Sequence, residues 1–400
     1  MSDPRYTPLR ERHEALGASF TDFGGWQMPV RYTSDLAEHH AVRESAGIFD
    51  ISHMAEFLVT GEAAAEFLDY ALAGRISAMP VGKAKYSLLL AEGGGIIDDV
   101  IAYRLAEDRY LVIANAGNRG FVDSAFAKRV RDFPSLVERD LPARAPGEER
   151  SFAGFLGDRG VDVEDVSDDY ALIAVQGPNA EAILAATADI TDVSIPWSEQ
   201  KYYAWASANY RGKPLLLART GYTGEDGFEL LVAADDAAAL WDALLAAGTP
   251  HGLVPAGLAA RDTLRLEAGM PLYGHELSLD TQPSQAGLGR VVVTAKEHFV
   301  GKAALSAAAE STEAAQAPVL VGLVAEGKRA GRAGYAVVDE DGSVLGEITS
   351  GALSPTLGHP IAMAYVKPSS AEEGTAVFLD VRGTRIPATV TALPFYRRTK

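Results

Sequence analysis

Strand-like and helix-like segments follow no regular alternation along this 400-residue chain. That order constrains the fold more than any single motif, because a doubly wound parallel sheet needs a helical crossover after nearly every strand. Here strand patterns come in runs. Residues 84–90 and 96–105 flank the turn Glu92-Gly93-Gly94-Gly95 and read as a hairpin, followed by a strand at 109–114 that ends at Asn115. Further strands read at 55–60, 171–176, 204–210 and 215–218. Beyond about residue 286, short strands dominate, at 319–324, 334–338, 343–348, 361–366, 376–381 and 386–391, separated by Gly and Asp-Gly turns. Such even spacing predicts a separate β-sandwich or barrel. The expected class is α+β with mostly antiparallel sheets.

Helical patterns are fewer. Ser34 reads as the N-cap of a helix over 35–45, Ala/Glu-rich residues 62–73 read as a second, and 237–247 as a third. Pro255 reads as the first residue of a helix through AGLAARDTLRLEA that Gly269 closes. The first fifty residues otherwise read as helices and loops punctuated by Gly24-Gly25-Trp26 and Gly47. Residues 131–165, with three prolines and dense mixed charge, read as a solvated connecting segment with helix on its N-terminal side.

Composition enters as a set of exclusions. The 36 basic and 54 acidic residues give a net charge of −18. A chain this acidic has no general footprint for nucleic acid and matches an anionic membrane surface poorly. No apolar stretch is long enough to span a membrane, and the charged beginning lacks the apolar core of a secretory signal, so the cytoplasm is the default location. Cysteine is absent, which removes disulfides, thiolate metal sites and thiol nucleophiles together. His39 and His40 are adjacent, so on a helix they diverge by about 100° and chelate poorly. The remaining histidines (13, 53, 251, 275, 298 and 359) are dispersed, and no metal is expected.

Three patterns could carry chemistry. In GGGIIDDVIAYRL, strand alternation puts Ile97, Asp99, Ile101 and Tyr103 on one face and Ile96, Asp98, Val100 and Ala102 on the other. Asp98 and Asp99 therefore cannot form a one-face dyad; one of them shares a face with Ile and Tyr, where burial perturbs a carboxyl. A solvated pair closing a hairpin is the plainer reading. GYTGEDGFEL (221–230) has glycines spaced for close approach by a ligand or another segment, without the Gly-Lys-Ser/Thr ending of a phosphate loop; a tight hairpin explains it equally. Arg261 and Arg265 lie four residues apart on one helical face beside an apolar stripe, which suits a carboxylate or phosphate. Pairing with Asp262, Glu267 or another acid is the alternative.

Beyond these, seven segments stand in a familiar order: DFGGWQMPV (22–30), EHHAVRESAGIFDISHM (38–54), GKAKYSLLLAEGGGIIDDVIAY (82–103), ALIAVQGPNA (171–180), GYTGEDGFEL (221–230), GLAARDTLRLEAGMPLYGHEL (257–277) and TSGALSPTLG (349–358). Together they resemble the T-protein (aminomethyltransferase) family of the glycine cleavage system, from about residue 6 to the terminal PFYRR. The segment around 139–165 is longer than in many relatives. The resemblance implies a three-domain cloverleaf: 1–55 with 170–285 as a discontinuous folate-binding domain, 56–169 as a second domain carrying the Asp-Asp hairpin, and 286–400 as a C-terminal β-barrel of jelly-roll type. It also implies transfer of a one-carbon unit from the aminomethyl group on lipoylated H-protein to tetrahydrofolate, giving 5,10-methylenetetrahydrofolate, ammonia and dihydrolipoyl H-protein. Tetrahydrofolate is then a co-substrate, with neither metal nor FAD.

Residue by residue, the family's catalytic aspartate falls on Asp99, its pterin-binding carboxylate on Glu229 and its substrate-binding arginine on Arg261. Tyr222, Tyr86, Tyr103, Asn115 and Met54 match positions lining the family's folate site, and Tyr396 and Arg398 the returning tail. Asp98 is expected to be structural, and Arg265 is left undecided. A folate-dependent demethylase acting on a small methylated donor is the alternative from the same superfamily. Relatives of that kind usually carry an FAD module, for which these 400 residues hold no dinucleotide fingerprint. Non-catalytic folate-binding relatives carry a cysteine motif that this chain lacks.

Overall fold

The computed structural model describes residues 4–139, 160–312 and 314–398. The larger of its two main sheets has seven strands, in spatial order Ile190–Thr191, Trp205–Tyr210, Lys213–Ala218, Gly227–Ala233, Tyr170–Gln176, Ala46–Asp50 and Leu253–Pro255. Its pairings are antiparallel except the last, which is parallel. The second sheet is wholly antiparallel, in order Ala84–Leu90, Ile96–Ala106, Arg109–Ala114, Ala55–Thr60 and Asp162–Asp165.

Period-two alternation decides what each sheet shows its neighbours. On the larger sheet Ile48, Ile173, Val175, Phe228 and Leu230 point outward and bury helices Ala180–Ala186 and Ala237–Gly248. Phe49, Leu172, Ala174 and Leu231 point the other way and share one core cluster with Tyr103, Leu111 and Ile113 of the second sheet. On that second sheet Val100, Ala102, Tyr110 and Val112 face outward onto helices Ala64–Ala71 and Arg119–Arg139. Two sheets thus pack face to face with helices outside, and residues 99, 101, 103, 229 and 231 project into the layer between them.

The tail closes into a six-stranded barrel, in order Val319–Ala325, Pro360–Val366, Val344–Leu353, Ala336–Val338, Ala376–Val381 and Thr384–Thr391. Val321, Leu323, Val337, Ile348, Ala364 and Leu379 fill it. Leu266 of helix Leu258–Glu267 packs on Ala352, Ile361 and Met363 of the barrel wall. The α+β class and the barrel agree with expectation. Among the described residues no helix is long and apolar enough to cross a membrane.

Four local readings need correction. Ala46–Asp50 is a central strand with all five residues buried; a strand covered on both faces shows no polar alternation to read. Ser19–Phe23 and Trp26–Arg31 form a hairpin whose turn, Gly24-Gly25, has φ of +60° and +86°, the left-handed pair a two-residue turn demands. Pro255 does not start a helix: it ends the parallel edge strand, where its missing N–H costs no ladder bond, and the helix begins at Leu258. Opposite Leu89 and Leu90 the ladder skips Ile97. That bulge turns Ile97 toward Val100 and Ala102, and Ile96 joins Leu88 and Leu90 instead. Of the 131–165 segment, helix continues to Arg139 and Asp162–Asp165 adds an acidic edge strand; residues 140–159 lie outside the described ones.

Candidate active site

Between the sheets lies a cavity of about 280 Å³. Asp99, Ile101 and Tyr103 reach it from strand Ile96–Ala106, as the alternation from Asp99 onward requires. Glu229 reaches it from the larger sheet, Arg261 from helix Leu258–Glu267, and His53 and Met54 from the loop after strand Ala46–Asp50. Tyr86, Asn115 and Tyr222 also line it, so eight of the ten residues singled out above meet in one cavity.

The two aspartates part as alternation dictates, and Asn115 ties them together. Asp98 is fully buried on the outward face, accepting from the Asn115 amide N–H (2.8 Å), Asn115 Nδ2 (2.8 Å) and Asn118 Nδ2 (2.7 Å). It braces the turn after strand Arg109–Ala114. Asp99 accepts from Tyr86 Oη at 3.0 Å and from Asn115 Nδ2 at 2.8 Å. Burial raises the pKa of both carboxyls, opposed by these hydrogen bonds.

Glu229 is held by a relay in which Tyr103 donates to Thr220 (3.1 Å) and Thr220 donates to Glu229. Burial raises the Glu229 pKa, and the nearby Arg261 moderates the rise. Arg261 lies over the Tyr222 ring, 4.8 Å from its centroid, and among the described residues its guanidinium has no salt bridge. Tyr222 is fixed by donating to the Pro271 carbonyl. Arg265 goes elsewhere. It is buried against Glu276 (3.0 Å), Asp262 (2.8 Å) and Ser350 (2.8 Å), so it is a tie between helix and barrel.

The glycine loop resolves in favour of another segment. A Cβ on Gly221 or Gly227 would lie 1.9 or 2.5 Å from the Gln176 side chain, which donates to the Thr220 carbonyl and accepts from Thr223. Two of the loop's acids turn away from the cavity: buried Glu225 pairs with Arg43 at 2.9 Å, and Asp226 pairs with Arg219 at 2.6 Å and Arg398 at 3.3 Å. The tail is not on the cavity wall. Tyr396 lies under the Arg43 guanidinium, 4.1 Å from its ring centroid, and its N–H donates to the Glu267 carbonyl.

Arg43 belongs to a buried polar joint that absorbs much of the remaining motif content. Glu267 accepts from Arg43 Nη2 (2.8 Å), Thr356 Oγ1 (2.7 Å), the Thr356 N–H (3.0 Å) and Ser354, with His39 Nε2 at 3.3 Å. Burial alone would raise this carboxyl; the bonds to His39, Ser354 and Arg43 hold it at about 2. Glu38 meanwhile accepts from the N–H groups of Tyr32, Thr33 and Gly257. Among the described residues no group of three or more acids and histidines is placed to hold a metal.

Sequence reasoning passed over His53, whose ring is buried on the cavity wall beside Phe23. No local spacing marks it; its place follows only from the loop that also delivers Met54.

Comparison with known proteins agrees with this geometry. Residues 9–296 match the GCVT N-terminal domain, and residues 319–397 match the glycine cleavage T-protein C-terminal barrel domain. An aminomethyltransferase of Saccharopolyspora erythraea is 53% identical over 399 residues, covering all of both chains, and one of Chloroherpeton thalassium is 41% identical, covering 99% of this chain and all of the other. The crystal structure of the glycine cleavage system aminomethyltransferase T from Bartonella henselae is similar over 99% of each chain, with a TM-score of 0.83 and 36% identity. With both domain models in register and full-length relatives well above the identity that fixes a family, this chain belongs to the glycine cleavage T-protein, or aminomethyltransferase, family.

Proposed function

We propose that this enzyme transfers the one-carbon unit of an aminomethyl group, carried on the lipoyl arm of H-protein, to tetrahydrofolate. The carbon's bonds to sulfur and to the amine break, and bonds to N5 and N10 of the folate form. The two protons leaving those nitrogens end on ammonia and on the thiol of dihydrolipoyl H-protein. The observation that carries this reading is one cavity lined by two carboxyls from facing sheets and by a guanidinium that forms no salt bridge among the described residues.

In this reading Asp99, fixed by Tyr86 and Asn115, faces the transferring carbon. A preoriented anion in a dry layer stabilises positive charge as ammonia leaves and needs no strong basicity. Glu229 accepts from the donor edge of the pterin, Arg261 answers its acceptor edge, and Met54, Tyr103 and Tyr222 supply apolar walls. A cavity of about 280 Å³ is near the lower end of ligand pockets, roughly 300 Å³, which suits a ring head with its tail at the mouth. We further read the chain as three units, 1–55 with 170–285, 56–169 and 286–400, working in the cytoplasm.

The test is an assay of the purified chain with aminomethylated H-protein and tetrahydrofolate, run beside dimethylsulfoniopropionate and dimethylglycine as donors. Methylenetetrahydrofolate is expected from the carrier alone. Turnover of a small methylated donor with none from the carrier replaces this reading by a folate-dependent demethylase.

A further inference from the structure

Eight buried side-chain polar atoms among the described residues have no hydrogen-bond partner, and one of them, His53 Nδ1, belongs to a residue on the cavity wall. We propose that His53 is a positioning residue for the bound ligand, its imidazole forming a hydrogen bond to the polar edge of the ring that Glu229 and Arg261 hold. This rests on the folate reading above.

The orphan nitrogen is not a sign of looseness. The Ile51 N–H donates to the Leu172 carbonyl, the Ser52 N–H to Asp50, the Ser52 hydroxyl to the Leu172 carbonyl, and the Met54 N–H to the Ile51 carbonyl. The ring itself packs edge-on against Phe23 at 5.4 Å and is 3% exposed. A ring so clamped cannot swing out to find water, and buried polar atoms in folded proteins nearly always have a partner. The residue borders the cavity and among the described residues no group meets Nδ1, so we take the missing partner to be what the cavity binds.

Its charge state fits that task. Burial, and then the neighbouring Arg261, hold the imidazole pKa down at about 4, so the ring is neutral at pH 7. Arg261 brings the positive charge; His53 brings a directional lone pair and an N–H. A second cation would repel Arg261 and leave the site without an acceptor on this wall.

The experiment compares His53→Leu, which keeps bulk and removes both nitrogens, with His53→Asn, whose amide falls near Nδ1. Tetrahydrofolate binding is read by calorimetry, kcat and KM for tetrahydrofolate in the H-protein assay, and folding by thermal melting. Expected for His53→Leu is binding weakened by roughly tenfold, the equivalent of one hydrogen bond, a matching rise in KM, a smaller change in kcat and an unchanged or higher Tm. His53→Asn is expected to bind within about threefold of wild type. Wild-type binding in His53→Leu overturns the inference, as does equal loss in both variants, which would leave only ring shape. Failure of the wild-type chain itself to bind tetrahydrofolate defeats the folate reading, and this assignment with it, and is a separate outcome.

Discussion

Arg261 and Arg265 stand about one turn apart on helix Leu258–Glu267 and meet opposite surroundings. Arg265 is saturated by Glu276, Asp262 and Ser350, and Glu267 beyond it is saturated by Arg43, His39 and the Ser354–Thr356 turn. Arg261 has an aromatic face and no salt bridge among the described residues. The cavity around it holds two acids whose pKa values burial raises and a histidine whose pKa it lowers. One region spends its charges on holding four segments together; the other leaves them available. A closed network rigidifies because every buried polar group has its partner, whereas groups kept waiting for a ligand cost stability until it arrives.

If that contrast is right, damage to the cavity and damage to the joint separate cleanly. The largest effect belongs to Asp99. Asp99→Asn should lower methylenetetrahydrofolate formation by about 10²- to 10³-fold, the scale of losing one fixed electrostatic contact, while tetrahydrofolate affinity changes much less. Stability should not suffer. Burial raises the folded pKa of Asp99 above its unfolded value, so the ionised form opposes folding at neutral pH and a neutral isostere relieves that cost. Near-normal turnover would remove Asp99 from the mechanism; a sharp fall in Tm would make it structural.

Glu267→Gln should do the reverse. It leaves Arg43 and His39 facing a weakened acceptor, and breaking a buried ion pair costs about 3–5 kcal/mol, readable by urea unfolding. Folate binding by the protein that remains folded should be nearly unchanged. In the wild type the Glu267 pKa falls to about 2 on folding. Its stabilisation is therefore present above the unfolded value, near 4.3, and is lost as pH drops from there through about 2. Acid unfolding in that window should shrink in Glu267→Gln; an identical acid limb in both proteins would place the sensitivity elsewhere.

Glu229→Gln tests the cavity at lower amplitude. Replacing a charged acceptor by a neutral one is expected to weaken tetrahydrofolate binding by roughly 10-fold or more in calorimetry, with Tm held. Unchanged affinity would reject the pterin assignment. The smallest effect is expected from Tyr396→Leu, which removes the ring under Arg43. A cation–π contact of this kind is worth about 0.5–2 kcal/mol, so a modest Tm loss with normal kcat is expected. A large kcat loss would move the tail from the joint into the site.

The same contrast explains what the sequence made legible. Strand alternation separates Asp98 from Asp99 with no structural input, and the even spacing of the tail announces a separate β-sandwich or barrel. It misses Ile97, because a bulge is a register event between two strands and one strand's pattern does not record it. Arg261 and Arg265 share a residue type and a helix; what distinguishes them is Glu276 and Ser350, the latter 85 residues away in the chain. The joint is harder still, since Arg43 and Glu267 are 224 positions apart. His53 carries no local mark, its meaning arising from the absence of a neighbour.

The central strand Ala46–Asp50 has a further consequence, for how the chain comes to be folded at all. Its two backbone edges pair with Tyr170–Gln176 and Leu253–Pro255, which leave the ribosome later. Ser52 waits for Leu172, 120 residues downstream, and at about 5–20 residues per second that is several seconds or more. The intervening sheet shortens the wait in space. Its own outer pairing sets Phe57 opposite Asp165, so once it folds, the two flanks of the larger sheet emerge side by side. Closing a gap of about ten residues in place of more than a hundred saves roughly 2 kcal/mol of loop entropy. From this strand order the second sheet is expected to fold first and to bring the two flanks of the larger sheet together.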